Sequence, residues 1–392
     1  MRSLVTLPPT LERTATAVRI TTAVADGDDL WFEVDAEHGA LVSDRADHVA
    51  VALLIPAMRS GRDLHVGGIV TDVLLHQLND DVQALVQWTH PGYRRVRVSA
   101  DAAEPARAAP SGVAAGFSGG VDSFAMLNEY SGAADVPDAL RLTHLFNNNV
   151  GAHGSGGRSL WQRRCEGVRQ VASAVGLPLV MVDSNLEAHY PRIGFMQSVT
   201  FRNASVAHLL SGGIGRLHYA AGFRYEDVGI LRSGDISAVD PITLPLLSTP
   251  GLVLASASAG SSRVSKTLAL VGRPEARFLD VCIDTDPTRS VNCSHCWKCM
   301  RTMLTLEIAG HLGEFCPTPF ALDPYLARRG DYIVELLASE SPLSREVVAF
   351  AAERGWSWGG RTQVRAGLRR VREAIHRGAR DARDRLRRAS NA

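Results

Sequence analysis

VAAGFSGGVDSFAMLNEY, residues 113–130, is the stretch from which the rest of the chain can be ordered. VAAGF (113–117) is a short apolar run of strand type. Ser118-Gly119-Gly120 is turn chemistry, and VDSFAMLNEY starts a helix at Val121. A strand that turns into a helix leaves free backbone N–H groups and a partial positive charge at the turn, where an anion is held. Gly119 and Gly120 allow a tight turn and close approach of backbone to that anion, and Ser118 and Ser123 add hydroxyl donors. Asp122 repels a bare phosphate. It makes sense where Mg²⁺ bridges it to the phosphates. No Gly-Lys-Ser/Thr follows the loop, so the Walker pattern is absent. A purely structural Gly-Gly turn is the plain alternative, and six matching residues between strand and helix weigh against it.

Downstream, strand and helix alternate. LTHLF (142–146), PLVMVDS (178–184) and RLHYAAGF (216–223) carry strands. SLWQRRCEGVRQVASAV (159–175) is an amphipathic helix with Leu160, Val168, Val171, Ala172 and Val175 on one side, and VTFRNASVAHLL (199–210) is helical. This alternation predicts an α/β fold with a parallel sheet covered on both faces. Ligands in such folds bind at the carboxyl ends of the strands. Upstream, residues 18–100 form an added α+β unit. VRITTAV and LWFEVD are strands, HVAVALLIPAM is an apolar run, and TDVLLHQLNDDVQALVQW is one helix with Val73, Leu74, Leu78, Val82, Leu85 and Val86 at helical spacing. RRVRVSA alternates like an edge strand, and DAAEPARAAPSG is a linker. There is no internal repeat.

The chain has six cysteines, and Cys282, Cys293, Cys296 and Cys299 follow a C-x10-C-x2-C-x2-C spacing. The last three put their sulfurs within reach of one ion, and Cys282, at the end of a predicted strand FLDVC, completes a tetrahedron. Four thiolates close the sphere of a structural Zn²⁺, and the metal replaces the core that so small a segment lacks. An iron–sulfur cluster is the alternative, with Cys316-Pro317 like a ferredoxin ending, but ferredoxin spacing calls for cysteine at 303, where Met303 stands. Redox thiols do not need four cysteines. His295 is a turn residue that could replace one ligand, and Cys165 sits mid-helix as a small hydrophobe.

SGGVDS resembles the PP-loop of the N-type ATP pyrophosphatases. That superfamily includes GMP synthetase, asparagine synthetase, tRNA thiolation enzymes and 7-cyano-7-deazaguanine synthase, and cleaves ATP between the α and β phosphates. The cysteine spacing, with Arg301 two residues after the last Cys, is most similar to 7-cyano-7-deazaguanine synthase. Fainter likenesses are Arg202-Asn203 at a helix start, Gly222 after the next strand, Asp240 in the substrate region, and Lys266 in VSKTLALVG. The resemblance covers residues 113–310. It implies an adenine-nucleotide alpha-hydrolase-like (PP-loop, Rossmann-like) domain at 109–280, after an N-terminal α+β domain at 1–108. A zinc-binding and helical segment at 281–345 and a basic helical tail at 346–392 follow. FNNNVGAHGSGGRSLWQRR and the N-terminal unit depart from the synthase, so the deazaguanine substrate does not carry over while the ATP chemistry does.

The resemblance implies that Ser118, Gly119, Gly120, Val121, Asp122 and Ser123 hold pyrophosphate and Mg²⁺. It also implies that Phe117, Phe146 and Asn147 flank the adenosine, with Asn203 and Gly222 nearby. Lys266, one of very few lysines, and Arg202 are cations for the separating phosphates, with surface salt bridges as the alternative. His144, His153 and His189 lie near strand ends, where satisfied structural histidines are commoner than bases. Asp183 ends the third strand and binds Mg²⁺ or caps a turn. The expected activity is adenylation of a small carboxylate or amide oxygen, with ammonia or another nucleophile displacing AMP. Sulfur transfer is a second reading, and an ATP-binding zinc protein without turnover a third. Arg2 rather than Cys follows Met1, so the glutamine-hydrolysing arrangement of asparagine synthetase is not expected.

Hydrophobic residues at 45% and charged residues at 21% suit a soluble enzyme. No apolar run reaches about 18 residues and no secretory segment is evident, so the expected location is the cytoplasm, away from membranes. From Arg361 onward there are 11 Arg, no Lys and three acids, a balance of +8 that leaves 31 basic against 38 acidic residues, −7, before it. An acidic body argues against nucleic acid and for a small-molecule substrate. The tail reads as a solvated helix face or an arm for RNA, membrane or an acidic partner. A homodimer is the assembly this reading allows.

Overall fold

The computed structural model describes residues 3–132, 135–230, 234–286, 288 and 292–389, with the backbone alone from 377 to 389. The chain opens with β1 (Leu4–Val5), β2 (Thr10–Arg13), β3 (Ala17–Thr22) and β4 (Leu30–Asp35). Next come α1 (Asp47–Ser60), β5 (Leu64–Thr71), α2 (Asp72–Asn79), α3 (Asp81–Thr89) and β6 (Val98–Glu104). The alternating stretch supplies β7 (Gly112–Gly116), α4 (Val121–Tyr130), β8 (His144–Asn148), α5 (Gly157–Val175), β9 (Leu179–Ser184), α6 (Val199–Leu209), β10 (Ile214–Ala220), α7 (Asp240–Leu246) and β11 (Val253–Ala257). Helices follow: α8 (Arg263–Leu268), α9 (Trp297–Ala309), α10 (Leu322–Ala338), α11 (Pro342–Glu353) and α12 (Gly360–Ala389).

The fold is α/β. An eight-stranded sheet has the order β11-β10-β7-β8-β9-β4-β3-β2. Its first five strands are parallel, and β4, β3 and β2 continue it antiparallel. From β7 the chain goes to β8 and β9 on one side, then crosses to β10 and β11 on the other. The order therefore reverses at the carboxyl ends of β7 and β10, which is where such sheets leave a ligand crevice. A smaller parallel sheet has the order β1-β5-β6.

The chain divides into two compact units. One comprises Met1–Ser261, Phe278–Asp280 and Thr285–Ser290, and contains both sheets. The other comprises Ser262–Arg277, Val281–Asp284 and Val291–Ala392, and is helical. Residues expected to form a separate N-terminal domain, 1–108, contribute β2, β3 and β4 to the same sheet as β7, through the pairing of Phe32, Glu33 and Val34 with β9.

Local differences from the sequence reading have physical causes. HVAVALLIPAM lies in α1, a helix apolar all round and buried from Asp47 to Ile55 and again at Ala57 and Met58. It packs against α6 and β5, as such a helix must. The single helix expected over 71–88 is two, broken at Asp80, whose φ of −126° and ψ of −99° lie outside the helical region. RRVRVSA becomes a strand only at Val98, which then runs through DAAE of the expected linker as the edge of the smaller sheet. FLDVC is not a strand. A 3₁₀ turn, Pro274–Phe278, leads into irregular backbone up to Cys282.

Candidate functional site

The loop after β7 turns into α4 at the sheet's reversal point. Gly119 has a φ of +75°, a region open to glycine. A Cβ there would meet only ordinary contacts, Phe278 O at 3.6 Å being the nearest, so the backbone angle and not space selects the glycine. Gly120 is the N-cap of α4, and among the described residues no side chain caps that helix end. Ser118 is exposed, and its Oγ accepts from the Gly120 N–H at 3.4 Å. Ser123 Oγ donates to Gly120 O at 2.9 Å and is buried, so it shapes the turn. Asp122 is half-buried in the first turn of α4. The geometry is that of an anion cradle with a carboxylate at its lip.

Phe117 and Phe146 are buried in the core, and Phe117 packs edge-on against Phe124 at 5.1 Å. At this loop they offer backbone, and their own backbones are joined from Phe117 N to Phe146 O at 2.7 Å. Asn147 braces the same place. Its Nδ2 donates to Phe117 O at 2.9 Å, and its Oδ1 accepts from Trp161 Nε1 at 2.6 Å and Cys165 Sγ at 3.3 Å. Burial pushes the Cys165 thiol up to about 12.

Arg202, on α6, is wholly buried. Its Nε donates to Ser198 Oγ at 2.8 Å, its Nη1 donates to Val150 O at 2.8 Å and pairs with Glu187, and its guanidinium lies over Tyr190 at 4.0 Å. Gly151, with φ of +100°, passes so near that a Cβ would collide with Glu187 Oε2 and Arg202 Nη1. Asn203 Oδ1 accepts from Asn148 Nδ2 at 3.1 Å. Gly222 is half-buried in the turn after β10. Asp240 is buried and accepts from Thr200 Oγ1 at 2.6 Å, and burial raises its carboxyl well above the carboxylate range. Asp183 is tied to Arg158 at 2.5 Å and to Asn149 at 2.7 Å, so it braces the carboxyl end of β9. Lys266 is buried in α8 and belongs to the helical unit.

Two residues beside the loop were not singled out from the sequence. Asp280 N donates to Gly119 O at 2.8 Å, and Asp280 Oδ2 pairs with Arg164 Nε at 3.3 Å. The available signal was helical spacing, since Arg164 lies one turn before Val168 on the inward side of α5. The three histidines near strand ends, His144, His153 and His189, all have pKa values lowered by burial, His153 to about 4 with the Arg164 charge assisting.

In the helical unit the Sγ atoms of Cys282, Cys293, Cys296 and Cys299 all lie within 4.8 Å of one another and could hold a metal such as zinc. The turn is built for thiolates. Ser294 has a φ of +60°. Backbone N–H groups of Asp284 and Cys293 donate to Cys282 Sγ at 3.3 Å each, and that of Cys296 to Cys293 Sγ at 3.2 Å. Hydrogen bonding among the sulfurs holds Cys293 down at about 6 and Cys296 lower still, while Cys282 and Cys299 are pushed up. Asn292 anchors the knuckle, accepting from Val281 N at 2.9 Å and donating to Pro319 O at 3.2 Å. His295 Nδ1 faces Cys293 O at 2.8 Å.

No protein-family model matches the chain, and no curated protein or solved structure matches it either. Among the described residues, no helix is long and apolar enough to cross a membrane.

Proposed function

We propose that the chain is a PP-loop ATP pyrophosphatase that adenylates a small-molecule carboxylate or amide oxygen and forms a carbon–nitrogen bond, as an amide- or nitrile-forming ligase. The observation that carries this reading is the position of Ser118–Ser123. A helix N-terminus that no side chain caps among the described residues, with Asp122 in its first turn, lies where the strand order reverses, the position at which such sheets bind ligands. Adenosine lies across the carboxyl ends of β7 and β8. The triphosphate lies on the N–H groups of Val121, Asp122 and Ser123, with the Ser118 hydroxyl beside it. Asp122 would hold a Mg²⁺ ion, which would supply charge neutralisation for the phosphates. A substrate oxygen attacks the α-phosphorus, and the bond to the bridging oxygen of the β-phosphate breaks. Pyrophosphate departs onto the helix end, an electrostatic stabilisation of the leaving group. Ammonia or another nucleophile then displaces AMP.

A thiolation enzyme needs a reactive thiol. Cys165 is buried with a raised pKa, four cysteines share one cluster, and Cys316 is also raised by burial. The amide-forming reading is therefore preferred, with zinc as a structural ion, because four sulfur ligands leave no open position for substrate. A non-catalytic ATP-binding protein has no use for a Mg²⁺ carboxylate at the loop. The test is release of AMP and pyrophosphate from ATP and Mg²⁺ in the presence of a pool of small carboxylates and ammonia. Binding of ATP without turnover under every such condition would favour the non-catalytic reading.

A further inference from the structure

We propose that Arg164 binds the departing pyrophosphate at the Ser118–Ser123 loop, with Asp280 holding its guanidinium in place. This rests on the ATP-cleaving reading above. α5 follows β8, so it starts at the carboxyl edge of the sheet and runs back along it. Val168 on this helix comes within 3.8 Å of where a Cβ on Gly119 would stand, and a Cβ on Gly167 would lie 3.8 Å from Phe278. Arg164 is one turn before Val168 on the same side, toward the carboxyl edge and the mouth of the loop. Its Nε meets Asp280 Oδ2 at 3.3 Å, and the Asp280 amide is bonded to Gly119 O at 2.8 Å. One residue thus fixes the loop through its backbone and the cation through its side chain.

The electrostatics favour the same assignment. Asp280 beside an anion cradle would repel phosphate if it stood alone, and Arg164 offsets it. Their side chains are 18% and 24% exposed, so the charges are partly withdrawn from water and act more strongly than a surface pair. A guanidinium presents five N–H donors in a planar fork and can serve a carboxylate and a phosphate oxygen together. Arg202 is closed in by Glu187, Val150 and Ser198, whereas Arg164 stands beside the loop itself.

The experiment is calorimetric titration of the full chain with inorganic pyrophosphate and Mg²⁺, and separately with adenosine. It uses the unsubstituted protein and R164Q, R164K, D280N and S118A, each checked by thermal melting. R164Q should weaken pyrophosphate roughly tenfold or more, the worth of a hydrogen bond to a charged group. R164K should retain part of the affinity, and D280N, which unpins the guanidinium but keeps its charge, should weaken pyrophosphate binding by less than R164Q does. Adenosine affinity should not move in any of them. Normal pyrophosphate binding by R164Q beside a weakened S118A would overturn the inference and leave the loop reading standing. Equal loss of pyrophosphate and adenosine in R164Q and D280N would also overturn it, because the pair would then only prop the loop. Should R164Q not fold, unchanged pyrophosphate affinity in R164K overturns it. An unsubstituted chain that takes up neither ligand overturns both readings.

Discussion

At the scale of single residues, Asp122 and His48 make separable claims. Asp122 stands in the first turn of α4 as a carboxylate where the helix end favours anions. On the proposed reading, in which Asp122 holds Mg²⁺, Asp122→Ala should lower AMP formation at least about 100-fold through loss of leaving-group stabilisation. Its unfolding free energy should change by no more than about 1 kcal/mol. Rapid-quench assay of AMP together with urea denaturation checks both. Wild-type turnover in this variant would remove Asp122 from the chemistry.

His48 is buried in α1, its Nδ1 bonded to Arg45 O at 3.1 Å, and burial lowers its pKa to about 4. The unfolded chain binds this proton at higher pH than the folded one does. The stability it contributes is therefore present above the unfolded value, near 6.5, and is lost as pH falls toward 4. The loss approaches roughly 3 kcal/mol at the acid end, since a tenfold change in proton affinity is worth about 1.4 kcal/mol. Urea midpoints at pH 7 and 4.5 should differ accordingly. His48→Asn, which keeps an N–H for Arg45 O, should flatten part of that slope, and an unchanged slope would contradict the assignment.

Among the elements, the cysteine knuckle is the one whose ligand is testable by composition. The protein should carry about one zinc per chain and little iron, because four clustered thiolates suit Zn²⁺. Elemental analysis checks this, and iron with labile sulfide would point to the alternative cluster. Cys296→Ser should cost roughly 3 kcal/mol or more and reduce soluble yield, since a metal held there would stand in for a core at the start of α9. ATP affinity per folded molecule should persist, because the loop's N–H groups are set by β7 and α4 in the sheet-bearing unit. Normal stability with abolished chemistry would mean that a cysteine or the metal takes part in the reaction.

The same elements show what the sequence could reveal. The start of α4 was legible because Gly-Gly precedes it and apolar positions recur after it. α1 was not, because HVAVALLIPAM is apolar on every side and a buried helix then has the signature of a buried strand. β5, LHVGGIVT, was hidden by two glycines. The break at Asp80 was masked by helix-like spacing on both sides of it. At the site, SGGVDS and the four cysteines were readable because each is local in sequence. Arg164 and Asp280 were not, because 116 positions separate two residues that meet only through the fold.

At the scale of the whole molecule, one eight-stranded sheet joins strands that the sequence pattern assigns to two domains. β4 pairs antiparallel with β9, and pairing between strands so far apart in the chain leaves no local trace. The sheet places the reversal of strand order, the glycine loop and the start of α4 together. The central claim is that this place cleaves ATP between its α and β phosphates. The most direct measurement is phosphorus NMR of the purified chain with ATP, Mg²⁺, ammonia and a pool of small carboxylates. AMP and pyrophosphate should appear in equal amounts, dependent on Mg²⁺ and on the carboxylate pool. Formation of ADP and inorganic phosphate would contradict the claim.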